Sequence, residues 1–182
     1  MRIVAGKYKG KRIEAPRNLP VRPTTDMAKE ALFNILNNRY YFNEISVLDL
    51  FAGIGSISLE FASRGCEEII SVDQHPGCVR FLEKTSLALD AGLQCVKSDA
   101  FDYLKKTGIK FDLIFADPPY DLERSEFEKI VNLVMDRNLL RPEGSLILEH
   151  RSKMKFDEHP AFVEARKYGS SSFSFFSSSA SS

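Results

Sequence analysis

Between residues 45 and 149, short apolar runs alternate with helix-periodic segments, and this alternation limits the possible folds more than any other feature. Ile45-Ser46-Val47-Leu48-Asp49-Leu50 suits a strand buried on both faces. A glycine loop follows, then a helix through Ile57, Phe61 and Ala62 that Gly65 can end. Ile69-Ile70-Ser71-Val72 reads as a second strand, and Cys78, Phe81, Leu82, Thr85 and Leu89 mark the next helix. Further strands are expected at 94–97, 111–116 and 145–149, with helices at 101–105 and around 127–135. Strands separated by crossover helices run parallel with right-handed connections, so this segment predicts an open α/β sheet.

The helical pattern stops after Glu149. Segments 162–168 and 173–176, joined through Gly169 and serines, have no crossover helix between them and therefore pair antiparallel. Ahead of the sheet, Arg2-Ile3-Val4-Ala5 and Arg12-Ile13-Glu14-Ala15 flank a turn-prone stretch with Gly6 and Gly10 and read as a hairpin. Pro16, Pro20 and Pro23 predict an extended linker. Thr25 or Asp26 can cap a helix whose Ala28, Ala31, Leu32, Ile35 and Leu36 share one face. The expected organisation is a basic arm over 1–25, the sheet domain over 26–176, and a serine-rich tail at 177–182 that frays.

The chain of 182 residues has no formal net charge, which argues against a general nucleic-acid binder. Its charge is unevenly placed, however. The first 22 residues carry Arg2, Lys7, Lys9, Lys11, Arg12, Arg17 and Arg22 against Glu14 alone, a balance of +6 that leaves −6 on the other 160. Such an arm either meets a polyanion or forms a solvated surface hairpin. Cys66, Cys78 and Cys95 are odd in number and lack metal-ligand spacing, and His75, His150 and His159 do not cluster with them. Free thiols, no metal and a cytoplasmic location are expected. No signal peptide is recognisable, and no apolar run approaches the ~20 residues of a membrane span.

Asp49-Leu50-Phe51-Ala52-Gly53-Ile54-Gly55 ends the first strand and opens the first helix of the sheet. Ligands of such sheets bind at the carboxyl ends of the strands, where glycines let the backbone approach. Asp73, ending the second strand twenty residues after Gly53, can accept hydrogen bonds from a ribose diol. Asp99, ending the third, can meet an adenine amino group. A nicotinamide cofactor would want a third glycine where Ser58 stands, and Ser58 is expected to obstruct that close packing. Asp49 suits the ammonium of a methionine moiety and would repel a pyrophosphate, so S-adenosylmethionine is favoured. A set of three strand-end caps is the structural alternative.

Asp117-Pro118-Pro119-Tyr120 follows the fourth strand on the same rim. Consecutive prolines fix two φ angles and remove two donors, leaving the Asp117 carboxylate and the Pro118 carbonyl as a rigid row of acceptors. Those acceptors suit the two hydrogens of an amino group conjugated to a base, with Tyr120 as a stacking face. Methyl transfer from a sulfonium is an in-line displacement in which positioning dominates. The alternative is a Pro-Pro turn with Tyr120 in the core.

Together with Arg22-Pro23-Thr24-Thr25-Asp26, Lys29-Glu30-Ala31-Leu32-Phe33-Asn34-Ile35-Leu36, Arg2-Ile3-Val4-Ala5-Gly6 and Arg166-Lys167-Tyr168-Gly169, these motifs resemble the RsmD-type family of 16S ribosomal RNA guanine-N2 methyltransferases. The resemblance covers nearly the whole chain, apart from the serine tail. It departs at Met27, where the family often carries arginine.

The resemblance implies a Rossmann-like, S-adenosylmethionine-dependent sheet, mostly parallel with a C-terminal antiparallel hairpin and a small N-terminal extension. The implied cofactor contacts are Asp49, Phe51, Gly53, Gly55, Asp73, Gln74, Asp99 and Ala100, and Asp117, Pro118 and Tyr120 would hold the guanine. Arg2, Lys7, Lys9, Lys11, Arg12, Arg22, Thr24 and Thr25 would meet RNA. The implied substrate is 16S ribosomal RNA in the small subunit or an assembly intermediate, met by a monomer without membrane or metal. Adenine-N6 methylation, a nicotinamide oxidoreductase and a non-catalytic RNA-binding module are the competing readings.

Overall fold

The computed structural model describes residues 1–20 and 24–178. Its order is α1 (Asp26–Asn37), a 3-10 turn (Phe42–Glu44), β1 (Ser46–Leu50), α2 (Ser56–Ser63), β2 (Glu68–Asp73), α3 (Pro76–Leu89), β3 (Gln94–Lys97), α4 (Ala100–Lys106), β4 (Phe111–Ala116), α5 (Arg124–Asp136), β5 (Leu140–Arg151), β6 (Phe162–Tyr168) and β7 (Ser171–Phe176). The seven strands form one sheet in the order β3-β2-β1-β4-β5-β7-β6. Strands β1 to β5 are parallel, and the β6–β7 hairpin adds antiparallel beside β5.

Chain order reverses at β1, which pairs with β2 on one side and β4 on the other. A crevice therefore opens outside the carboxyl ends of β1 and β4. All five residues of β1 are buried, as a central strand covered on both faces requires. One apolar layer gathers Leu32, Phe33, Val47, Phe61, Phe173 and Phe175. The other gathers Leu48, Leu104, Phe127, Ile130, Phe156 and Phe176.

The expected N-terminal hairpin forms but is short: Ile3 N–H donates to the Lys11 carbonyl at 3.0 Å and Ile13 N–H to the Met1 carbonyl at 2.9 Å. Arg2 and Arg12 form one isolated antiparallel bridge, and no strand grows from it. The reason is competition from α2: Val4 and Ala5 donate their amides to Glu60 at 3.0 and 3.1 Å instead of to an opposing strand. Lys7 N–H donates to the Ser63 carbonyl at 2.7 Å, and Tyr8 N–H donates to Ser63 Oγ at 2.9 Å. Contact is close enough that a Cβ on Gly6, φ +82°, would lie 2.0 Å from the Ser63 oxygen. All eight residues of α2 are consequently buried.

Other elements differ from expectation mainly in length. Strand β5 begins at Leu140, earlier than the apolar run, because Leu140 pairs with Phe111 before a register shift brings Ser145 opposite Leu113. The third strand ends at Lys97, so Asp99 lies beyond it and caps α4, accepting from the Asp102 amide at 3.0 Å. Thr25 rather than Asp26 caps α1, its Oγ1 accepting from Ala28 N–H at 3.2 Å. Arg22, Pro23 and the tail from 179 to 182 lie outside the described residues.

Candidate functional site

The loop after β1 is built from left-handed backbone. Phe51, Gly53 and Gly55 have φ of 60°, 58° and 88°. A bulky residue in that region is strained, and such strain persists only where the surroundings enforce it. Ala52 N–H donates to the Val72 carbonyl and Gly55 N–H to the Ala52 carbonyl, at 2.9 and 2.8 Å. The turn thereby delivers Gly55 as the start of α2, where a Cβ would meet Leu82 Cδ1 at 2.2 Å.

Asp73 organises two loops at once. Its Oδ2 accepts from Gly53 N–H and its Oδ1 from His75 N–H, both at 2.8 Å. His75 Nδ1 accepts from the amides of Gly77 and Cys78 at 3.1 and 3.3 Å, capping α3. A neutral His75 therefore carries its proton on Nε2.

Asp49 is 2% exposed. Its Oδ2 accepts from Ser58 Oγ at 2.5 Å and Ser58 N–H at 3.1 Å, and Ser58 Oγ also lies 2.7 Å from Ser71 Oγ. Contrary to the expectation from the sequence, Ser58 does not obstruct the helix packing. It is fully buried and turns its hydroxyl into a tie to the strand carboxylate. Burial pushes the Asp49 carboxyl up to about 7, against the two bonds from Ser58, and the negative charges of Asp117 and Asp73 push the same way.

Asp117 follows β4 directly, half-buried beside buried Pro118. The Pro119 carbonyl accepts from Leu122 N–H at 3.1 Å, closing a turn that holds the tetrapeptide. Tyr120 is also half-buried, not a core residue; its Oη lies 3.2 Å from Ser171 Oγ, and the Arg151 guanidinium sits 5.1 Å from its ring centre.

These parts share one cavity of about 780 Å³. Asp49, Phe51, Gly53, Asp73, Gln74, Asp99 and Ala100 line it together with Asp117, Pro118 and Tyr120, whereas Gly55 is outside the lining and packs against Leu82. Among the described residues, Thr24 is the only RNA candidate in its wall, and Arg22 lies outside them. Lys7, Lys9, Lys11 and Arg12 are exposed on the arm, Arg2 pairs with Asp26 at 3.0 Å, and Thr25 is the helix cap.

Sequence reasoning missed His75 and Phe101 in the wall, although each lies within two residues of an aspartate that it singled out. It also missed Arg151 and Ser171, which only the β5–β7 pairing brings to Tyr120.

The family described as Conserved hypothetical protein 95 matches residues 1–177. The chain belongs to this family, the RsmD type. Ribosomal RNA small subunit methyltransferase D of Escherichia coli (strain K12) is 31% identical to this RsmD-type chain over 150 residues, covering 82% of it and 74% of the relative. The structure of a hypothetical protein from Thermus thermophilus matches with a TM-score of 0.83 at 28% identity, covering 97% of this chain and 98% of that one. The Thermus thermophilus 16S rRNA N2 methyltransferase RsmC, solved with AdoMet and guanosine, matches with a TM-score of 0.69 at 25% identity, over 87% of this chain and 44% of that one. The RsmD-type sheet is thus the Rossmann-like methyltransferase fold, mostly parallel with an antiparallel C-terminal hairpin.

The residues present suit S-adenosylmethionine. The buried Asp49 carboxylate is a match for an ammonium, Asp73 offers acceptors for a diol, and Phe51 and Phe101 add apolar wall to the same cavity.

Proposed function

We propose that this chain methylates the exocyclic N2 amine of a guanine in small-subunit ribosomal RNA, with S-adenosylmethionine as methyl donor. The observation that carries this reading is the placement of Asp117, Pro118 and Tyr120 in the same cavity as Asp49 and Asp73. The family, and the names of the Escherichia coli and Thermus thermophilus relatives, support the choice of substrate.

When bound, S-adenosylmethionine supplies an electrophilic methyl group on a sulfonium, which leaves as a thioether. Asp49 pairs with its ammonium, and Asp73 holds its ribose while keeping Gly53 N–H in place. Gln74, Asp99 and Ala100 border the adenine end. The Asp117 carboxylate and the Pro118 carbonyl accept the two N2 hydrogens, which aims the nitrogen lone pair at the methyl carbon. As the N–C bond forms, the nitrogen gains positive charge beside the Asp117 carboxylate, which stabilises it and accepts the departing proton.

Tyr120 stacks on the base, with its ring held by Arg151 and its hydroxyl by Ser171. The target must leave any helical stack to reach this cavity. The exposed cations Lys7, Lys9, Lys11 and Arg12 contact phosphates around it.

A tritiated methyl-transfer assay on small subunits lacking the modification tests the proposal, with naked RNA and large subunits as controls. Label in small-subunit RNA is the expected result. Absence of label from every RNA would overturn it.

A further inference from the structure

A second concavity, of about 490 Å³, lies between the outer face of α1 and the edge strand β6. Both of its walls start at the catalytic rim. On one side, Thr24 lines the cofactor cavity and directly precedes the cap of α1, and Ala31 in the groove lies ~9 Å further along that helix. On the other side, Tyr168 pairs in register with Ser171, whose hydroxyl is 3.2 Å from that of Tyr120.

We infer that this groove holds a single-stranded RNA segment next to the methylated nucleotide. The inference rests on the proposed RNA substrate and extends it to a surface that reads neighbouring nucleotides.

Three features suit that occupant. Among the described residues no acidic side chain lines the groove, while Arg39 and Arg166 do. Both guanidiniums pair with Glu164, which shares the β6 face of Arg166 and Tyr168, and Arg39 also rests 4.9 Å from the Phe175 ring centre, so they are pre-oriented. Two cations against one carboxylate leave a net positive charge, and a guanidinium has five N–H donors, enough to serve Glu164 and a phosphate together.

Asn34 on α1 and Asn38, which caps its C-terminus one turn later, present exposed side chains to the same groove. An amide both donates and accepts, which suits base edges better than phosphates. Tyr168 supplies a half-buried ring backed by Phe173, 5.8 Å away, as a stacking platform. A protein partner would meet little apolar surface here, since Ala31 and Ile35 are the aliphatic side chains in the lining.

The test compares two charge reversals on β6 in the intact protein. Arg166 and Lys167 are both exposed, but strand alternation places Lys167 on the opposite face, away from α1. Methyl transfer is measured on small subunits lacking the modification, binding on a labelled single-stranded RNA oligomer spanning the nucleotide that this assay labels, and cofactor affinity with S-adenosylhomocysteine.

Arg166→Glu is expected to raise KM for subunits about tenfold and to weaken oligomer binding similarly. Saturated kcat and S-adenosylhomocysteine affinity stay unchanged, which also reports an intact fold. Lys167→Glu stays within about twofold of wild type on all measures, the range of an off-site surface charge. Asn34→Ala with Asn38→Ala should weaken oligomer binding without reducing its salt dependence, because amides release no counterions.

Equal losses for Arg166→Glu and Lys167→Glu would reduce the effect to bulk charge and overturn the assignment. Loss on subunits with unchanged oligomer binding would assign the groove to protein instead. An active wild type with an unaffected Arg166→Glu overturns the groove alone, whereas a wild type that methylates no RNA overturns the proposed substrate and the groove with it.

Discussion

Lys29 Nζ lies 3.4 Å from Glu60 Oε2, and neither side chain has any exposed surface. The pair joins three parts of the protein. The ammonium also donates to the Arg2 carbonyl at 2.7 Å and to Ser56 Oγ at 3.3 Å. Glu60 in turn accepts from the amides of Val4 and Ala5 and from Arg64. Helix α1, the basic arm and the start of α2 at the cavity wall are therefore fastened at one point. Burial holds the Lys29 pKa below its ordinary value, opposed by the attraction of Glu60.

Glu60→Leu leaves the Lys29 ammonium buried without its carboxylate, whereas Glu60 without Lys29 keeps Arg64 at 3.0 Å. Glu60→Leu should therefore cost ~3 kcal/mol and more than Lys29→Met, while both changes together should cost less than the two single changes added. Denaturant unfolding of the four proteins measures both quantities. Strict additivity would mean that the two side chains act independently.

The Asp49 carboxyl, pushed up to about 7, predicts how cofactor binding depends on pH. Only the ionised form attracts an ammonium, and S-adenosylhomocysteine retains that ammonium. Its affinity should fall as pH drops from 8 to 6, and Asp49→Asn should be weaker at pH 8 and nearly flat with pH. Titration calorimetry across that range provides the check.

For cofactor-free protein the sign reverses. A folded pKa raised above the unfolded value of ~3.9 means this group contributes most stability below that value. Its contribution is lost as pH rises towards 7.

Gly55 and Gly92 separate steric from conformational cost. Both have positive φ, but a Cβ on Gly55 would strike Leu82, whereas one on Gly92 meets nothing within 4 Å. Gly92→Ala should cost about 1 kcal/mol for its backbone alone. Gly55→Ala should cost ~1–3 kcal/mol more for overpacking and should weaken S-adenosylhomocysteine binding. Thermal melts and calorimetry distinguish them; equal costs would remove the packing argument.

The arm is a covering for α2 as well as a charged surface, so deleting it would confuse folding with binding. Changing Lys7, Lys9, Lys11 and Arg12 to alanine leaves its backbone bonds to Glu60 and Ser63 intact. If these cations meet phosphates, each lost contact should lower the slope of log affinity against log salt by ~0.7. An unchanged slope would make the arm a structural covering alone.

Much of the sheet is readable from local pattern, because a parallel strand buried on both faces must be apolar throughout and its crossover helix periodic. The expected ranges at 94–97, 111–116 and 162–168 coincide with β3, β4 and β6. What was not readable depends on contacts distant in sequence. The amides of Val4 and Ala5 turn to Glu60, more than fifty positions away, so the hairpin's ladder stops at Ile3. Nothing in the local pattern marks Lys29 as buried, and Ser58 reads as an obstruction until Asp49 is seen to need its hydroxyl. At the site, the four residues 117–120 were conspicuous because their chemistry is contiguous. Arg151 and Ser171 were not, since the β5–β7 register alone carries them to Tyr120.

The most direct test of the central claim is the identity of the methylated nucleoside. Small subunits lacking the modification are incubated with the protein and S-adenosylmethionine, and their RNA is digested and analysed by mass spectrometry. N2-methylguanosine should appear with wild type and fall by at least about 100-fold in rate with Asp117→Ala, as expected when a positioning acceptor is removed. N6-methyladenosine in its place, or full activity in Asp117→Ala, would contradict the account.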